Sequence, residues 1–129
     1  GRIASLIPVP VYDPKEHRLV PVVAEDLRTV QSSQEFVRDA PVTLVYVADL
    51  ARMSEGTATE KEATASFDTG FVSQNVYLWC ASEGLATGVR SWVEREVLAK
   101  KMKLRPDQRI IAAQSIAYPA APRPAAPKP

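Results

Sequence analysis

Apolar residues change their spacing several times along this chain, and each change marks an element. Near the N-terminus one short extended run passes through Val9, Val11 and Tyr12 and a second through Leu19, Val20 and Val22, either side of the polar segment Asp13-Pro14-Lys15-Glu16-His17. Asp-Pro supplies a turn. Proline cannot donate to a ladder, so Pro8, Pro10 and Pro21 place this hairpin, over about residues 9–22, at a sheet edge or periphery. Leu27 and Val30, three apart behind Glu25 and Asp26, predict a short helix over 24–31, with acids at its positive end. Residues 35–38 add a further turn, which Asp39-Ala40-Pro41 stops.

From Val42 to Ala48 the chain is β-branched and aromatic, apolar on both alternating faces save at Thr43, the pattern of a central strand covered on both sides. The next segment opens on two overlapping capping boxes, Thr57-x-x-Glu60 and Thr59-x-x-Glu62, and closes at Glu83 before Gly84, where a left-handed residue ends a helix. This is the longest predicted helix. Between residues 71 and 81 it is apolar nearly all round, with Phe67, Phe71 and Leu78 on one side and Val72, Val76 and Trp79 on another. A helix with two apolar faces belongs in a large core or a subunit interface. A chain this short has little room for such a core, so an oligomer formed through helix 59–83 is expected. Residues 85–92, with small Ala86, Thr87 and Gly88, read as extended. Residues 94–103 form a helix with Glu94 and Glu96 at its start and Lys100, Lys101 and Lys103 at its end, and residues 108–118 form a second buried strand. The last segment, 119–129, holds five of the eleven prolines and reads as an extended Pro/Ala-rich tail or linker beyond a single domain at 1–118.

The 129 residues are 46% hydrophobic, which suits one globular α+β domain. A net charge of +1 with both signs mixed along the chain gives no footprint for nucleic acid. One Cys and one His exclude a Cys/His zinc site and an intrachain disulfide by counting. Cys80, inside an apolar run, reads as a buried structural thiol, and His17, in a turn with no Ser or Cys motif to pair with, is assigned no chemistry. No apolar run reaches membrane-spanning length and no leader pattern is present, so the expected setting is soluble, reducing and cytoplasmic, with no membrane partner. Nucleophile elbows, glycine-rich phosphate loops and paired-acid motifs are lacking, which argues against a hydrolase or transferase.

Three segments carry a family resemblance: Ala40 to Asp49, Asp68 to Leu78 with its Gln74-Asn75 pair, and Glu83-Gly84-Leu85-Ala86-Thr87, followed by Tyr118-Pro119 after the last strand. In order and spacing they resemble the nitroreductase family, over roughly residues 9–119 and chiefly its C-terminal half. The resemblance implies a nitroreductase-like sandwich, with an antiparallel or mixed sheet, a long buried central helix and flavin mononucleotide (FMN) held at a homodimer interface. It implies an oxidoreductase that takes a hydride from NAD(P)H and passes electrons to a nitro, quinone or related acceptor, the flavin carrying the redox chemistry. The family contacts the flavin from the backbone just after the Gly-Leu turn, which places Gly88, Val89, Arg90 and Ser91 beside the cofactor.

Some features depart from the family pattern. Ser91 stands where close relatives have Gly, and Ala117 replaces the Gly of the usual Gly-Tyr-Pro ending. Ala120 and Ala121 follow where a phosphate-binding basic residue is common, and the Arg-x-Ser-x-Arg type motif of the family's N-terminal half has no counterpart upstream of Ile7. The expectation is therefore a truncated fold whose FMN site is incomplete in this chain alone. The alternative is a non-catalytic, dimerising remnant of the fold without flavin.

Overall fold

The structure, a computed structural model, describes residues 9–27, 30 and 35–121. The elements run β1 (Val9–Asp13), β2 (Arg18–Val23), α1 (Glu35–Asp39), β3 (Val42–Asp49), a 3-10 turn (Leu50–Arg52), α2 (Ala58–Glu83), β4 (Ala86–Arg90), α3 (Arg95–Lys101) and β5 (Gln108–Ala117). Strands β1 and β2 form the expected hairpin, an antiparallel sheet of two strands separate from the main sheet. The amides of Lys15 and Glu16 donate to Asp13 Oδ1 at 2.9 and 3.4 Å, so the aspartate side chain builds the turn. His17 takes a left-handed φ of 49° and its Nδ1 lies 2.6 Å from the Tyr12 hydroxyl. Residues 24–27 are not helical; of the rest of the helix expected over 24–31, only Val30 is described, and it is helical, its amide donating to the Leu27 carbonyl at 3.2 Å. Most of the Pro/Ala tail, residues 122–129, lies outside the described residues.

The main sheet has the order β3-β5-β4 and both pairings are antiparallel. The sequence pattern places β3 at the centre; the structure places β5 there and β3 on an edge. Cover on two faces and pairing on two edges are independent. The apolar pattern of β3 reports the first and carries no information on the second.

One face of the sheet packs on Leu27, Val93 and Leu98, which with Ile110 and Ala113 form the core that Val9, Val45 and Met102 extend. The other face carries α2. Thr57 caps this helix by accepting from the Glu60 amide at 3.2 Å while Glu60 Oε2 accepts from the Thr57 amide at 2.8 Å, so the first of the two overlapping boxes is used. Gly84 ends it with φ of 68°. The 26 residues span about 39 Å and touch the sheet through small side chains, Ala65, Ser73 and Cys80 being the buried ones.

The burial expected of this helix is therefore not supplied by the chain itself. Phe67, Phe71 and Leu78 are 70%, 60% and 61% exposed, and Val72 and Trp79 are exposed beside them. Among the described residues no helix is long and apolar enough to cross a membrane.

Candidate functional site

The middle of α2 presents a polar stripe whose members lie three and four apart: Ser66, Thr69, Gly70, Ser73, Gln74 and Tyr77. This stripe forms one wall of an open groove of about 500 Å³. The facing wall comes from Val89 and Ser91 at the end of β4, Arg95 at the start of α3, and Ile111 and Ala112 of β5. Among the described residues no acidic side chain lines it.

Beneath the groove lies a buried polar network built on Gln114, which is 0% exposed. Its Oε1 accepts from the Tyr46 hydroxyl at 2.6 Å, and its Nε2 donates to Thr87 Oγ1 at 3.1 Å and, at 3.4 Å, to the Ser73 carbonyl. Strand, sheet neighbour and helix are thereby tied through one side chain. Burial raises the pKa of Tyr46, and the neighbouring Cys80 and Tyr77 push it the same way. Ser73 itself is buried, and its hydroxyl has no hydrogen-bond partner among the described residues.

At the end of β4 the Val89 amide donates to the Tyr77 hydroxyl across the groove at 2.9 Å, fixing the strand end to the helix. Arg90 points to the opposite face of the sheet, where Nη1 donates to Ser115 Oγ at 2.7 Å; burial lowers its pKa below the ordinary arginine value. Gly88 pairs with Ser115 in the ladder, and a Cβ added there would meet nothing within 4 Å. Ser91 is exposed at the groove wall. Strand alternation thus divides the predicted quartet, with the Val89 and Ser91 side chains facing the groove and Arg90 directed away from it.

The sequence pattern of the Nitroreductase family matches residues 7–118. The chain belongs to the nitroreductase family. The structure of a candidate nitroreductase from Ralstonia eutropha JMP134 is 40% identical and superposes with a TM-score of 0.77, covering 85% of this chain and 52% of that one. The chain thus spans about half the length of that relative. A nitroreductase family protein from Streptococcus pneumoniae TIGR4, at 15% identity and a TM-score of 0.58, covers 80% of this chain and 68% of that one, and shares the fold. No curated protein matches the chain. The nitroreductase fold, with its antiparallel sheet and long helix, is the one the sequence resemblance implied.

Beyond Val89 and Ser91 the sequence reading assigns to the site no residue of the groove or its floor, and Ser73, Tyr77, Arg95 and Gln114 are among those it misses. The polar stripe of α2 is masked in sequence by the large apolar residues interleaved with it. Gln114 sits in an apolar strand where a single amide looks incidental. Arg95 does leave a signal, since a cation in the first turn of a helix opposes the helix dipole and needs another partner. The structure supplies one, with Arg95 Nε and Nη2 donating to the Ile110 and Ile111 carbonyls at 3.0 and 2.8 Å.

Proposed function

We propose that this chain forms part of an FMN-dependent oxidoreductase which accepts a hydride from NAD(P)H and reduces a nitro, quinone or related acceptor, working in the cytoplasm as a homodimer through α2. The observation that carries the reading is the groove itself. Its wall includes Val89 and Ser91, the end of the strand to which the family resemblance assigns flavin contact, set against a stripe of hydroxyls and an amide. The open space at Gly70 in the groove wall fits a flat ring approaching the helix backbone. FMN, when bound, supplies the redox chemistry.

The chain's residues bind and orient. Backbone amides at the end of β4 offer donors to the ring edge, with the Val89 N–H exchanging its Tyr77 partner for the ligand. Gln74 would satisfy ring heteroatoms from the helix side. A second copy over Phe67, Phe71 and Trp79 covers the apolar face and keeps water from the neighbouring groove.

One observation favours the second reading, a dimerising module that takes no flavin: the Val89 amide is already satisfied within the chain. Titration with FMN, followed by quenching of flavin fluorescence alongside size-exclusion light scattering, separates the two. Saturable binding by a dimer, followed by NAD(P)H oxidation with a nitro or quinone acceptor, supports the oxidoreductase. A dimer indifferent to FMN overturns it and leaves the module.

A further inference from the structure

Among the described residues Arg95 is the one formally charged side chain lining the groove. Its guanidinium is fixed by two strand carbonyls, which set its plane and leave its charge uncompensated. No ion pair is formed by it among the described residues. Holding a cation in place at the start of a helix, against the dipole, beside a cavity with no carboxylate, is the arrangement of a preset anion receptor. A second observation is independent of charge: Ser73, which lines the groove, is buried and its hydroxyl has no hydrogen-bond partner among the described residues.

We propose that Arg95 anchors the oxyanion group, phosphate or carboxylate, of the molecule bound in this groove. The proposal rests on the groove being the ligand site described above. The anion has two sources: the phosphate of the flavin nucleotide, or a carboxylate on the electron acceptor. Arg95 is exposed to solvent, so its attraction for either is weakened by salt.

The test compares two ligand pairs that differ in charge, FMN with riboflavin and para-nitrobenzoate with para-nitrobenzyl alcohol, on the wild-type protein, Arg95→Gln and Arg95→Lys. Binding is followed by tryptophan fluorescence and by the amide shifts of Val89 and Ser91, and thermal melts check that each variant is folded. In at least one pair the charged member is expected to bind the wild type about ten-fold more tightly, as a charge-assisted contact gives. That preference shrinks with added NaCl, is largely kept by Arg95→Lys and is lost in Arg95→Gln, while the uncharged member binds wild type and Arg95→Gln alike. A preference in the flavin pair identifies the phosphate as the source, and one in the nitro pair the carboxylate.

No preference in either pair, or one that survives Arg95→Gln, overturns the anchor. If Arg95→Gln does not fold, absence of any preference in the wild type still overturns the anchor, and Arg95→Ala takes its place in the comparison. FMN that binds no better than riboflavin, with no preference in the nitro pair, removes the anchor and leaves the flavin reading intact. A nitrobenzoate preference without flavin uptake removes the flavin reading and keeps the anchor, and failure of all four ligands to bind overturns both.

Discussion

Gln114 holds its amide at the centre of the sheet because three elements each give it a partner: Tyr46 from β3, Thr87 from β4 and the Ser73 carbonyl from α2. Replacing it with Leu leaves the Tyr46 hydroxyl and the Ser73 carbonyl short of these partners, and Gln114→Leu is expected to cost about 2–3 kcal/mol in urea denaturation. Tyr46 gives the same site a pH dependence. Folding raises its pKa above the ordinary value of 10.0, chiefly by burial, so the contribution of the neutral phenol to stability is complete below that pH and is lost as pH rises through the higher folded value. Tyr46→Phe should therefore be less stable than wild type near neutrality, by about 1 kcal/mol for the lost hydrogen bond. The gap in melting temperature should narrow as the solution passes above about pH 10. A gap that stays constant to higher pH would show that the phenol ionises equally in both states.

At the scale of elements, the ends of α2 are the best-determined features of the chain. Thr57→Ala removes the hydroxyl that accepts from the Glu60 amide while keeping the backbone half of the capping box, and is expected to cost about 1 kcal/mol. Gly84→Ala meets no neighbour within 4 Å but forces a left-handed φ of 68° on a residue with a Cβ, a cost of about 1–2 kcal/mol, measured by the same denaturation. Gly88 gives the contrast. It has the same open surroundings without a positive φ, so Gly88→Ala should leave stability within about 0.5 kcal/mol of wild type. A Cβ there projects to the sheet face that Arg90 and Ser115 share, away from the groove, so FMN affinity is also expected to be unchanged; a loss of affinity would place the ring on that other face.

For the whole molecule, the distribution of apolar side chains on α2 is the reverse of a surface helix. Its small residues face the sheet and its large ones face outward, with Phe67 and Phe71 in edge-to-face contact at 4.8 Å in the open. That leaves the apolar area of an interface uncovered in a single chain. Phe71→Glu should yield a monomer by size-exclusion light scattering with the far-ultraviolet circular dichroism of the wild type, because the side chain is 60% exposed and contributes little to the fold of one copy. A dimer that persists would move the interface away from this face.

Capping chemistry, hairpin turn, strand positions and the outward apolar helix were all legible in the sequence, because each depends on contacts within a few residues or on a local repeat. Asp13 makes its turn with its own neighbours, and Thr57 and Glu60 satisfy one another's amides across three residues. Ordered motifs in Asp68 to Leu78 and Glu83 to Thr87 pointed to the nitroreductase family for the same reason. Lateral strand order was not legible: β3 and β5 are both apolar, and only the chain's path places β5 between its two partners. The groove was half legible. The sequence located the end of β4, but alternation turned Arg90 away from it, and residues distant in sequence, Ser73, Tyr77 and Arg95, completed the walls. Local interactions fix the elements, whereas a binding site is a set of side chains made neighbours by long-range packing, and that the tertiary structure alone decides.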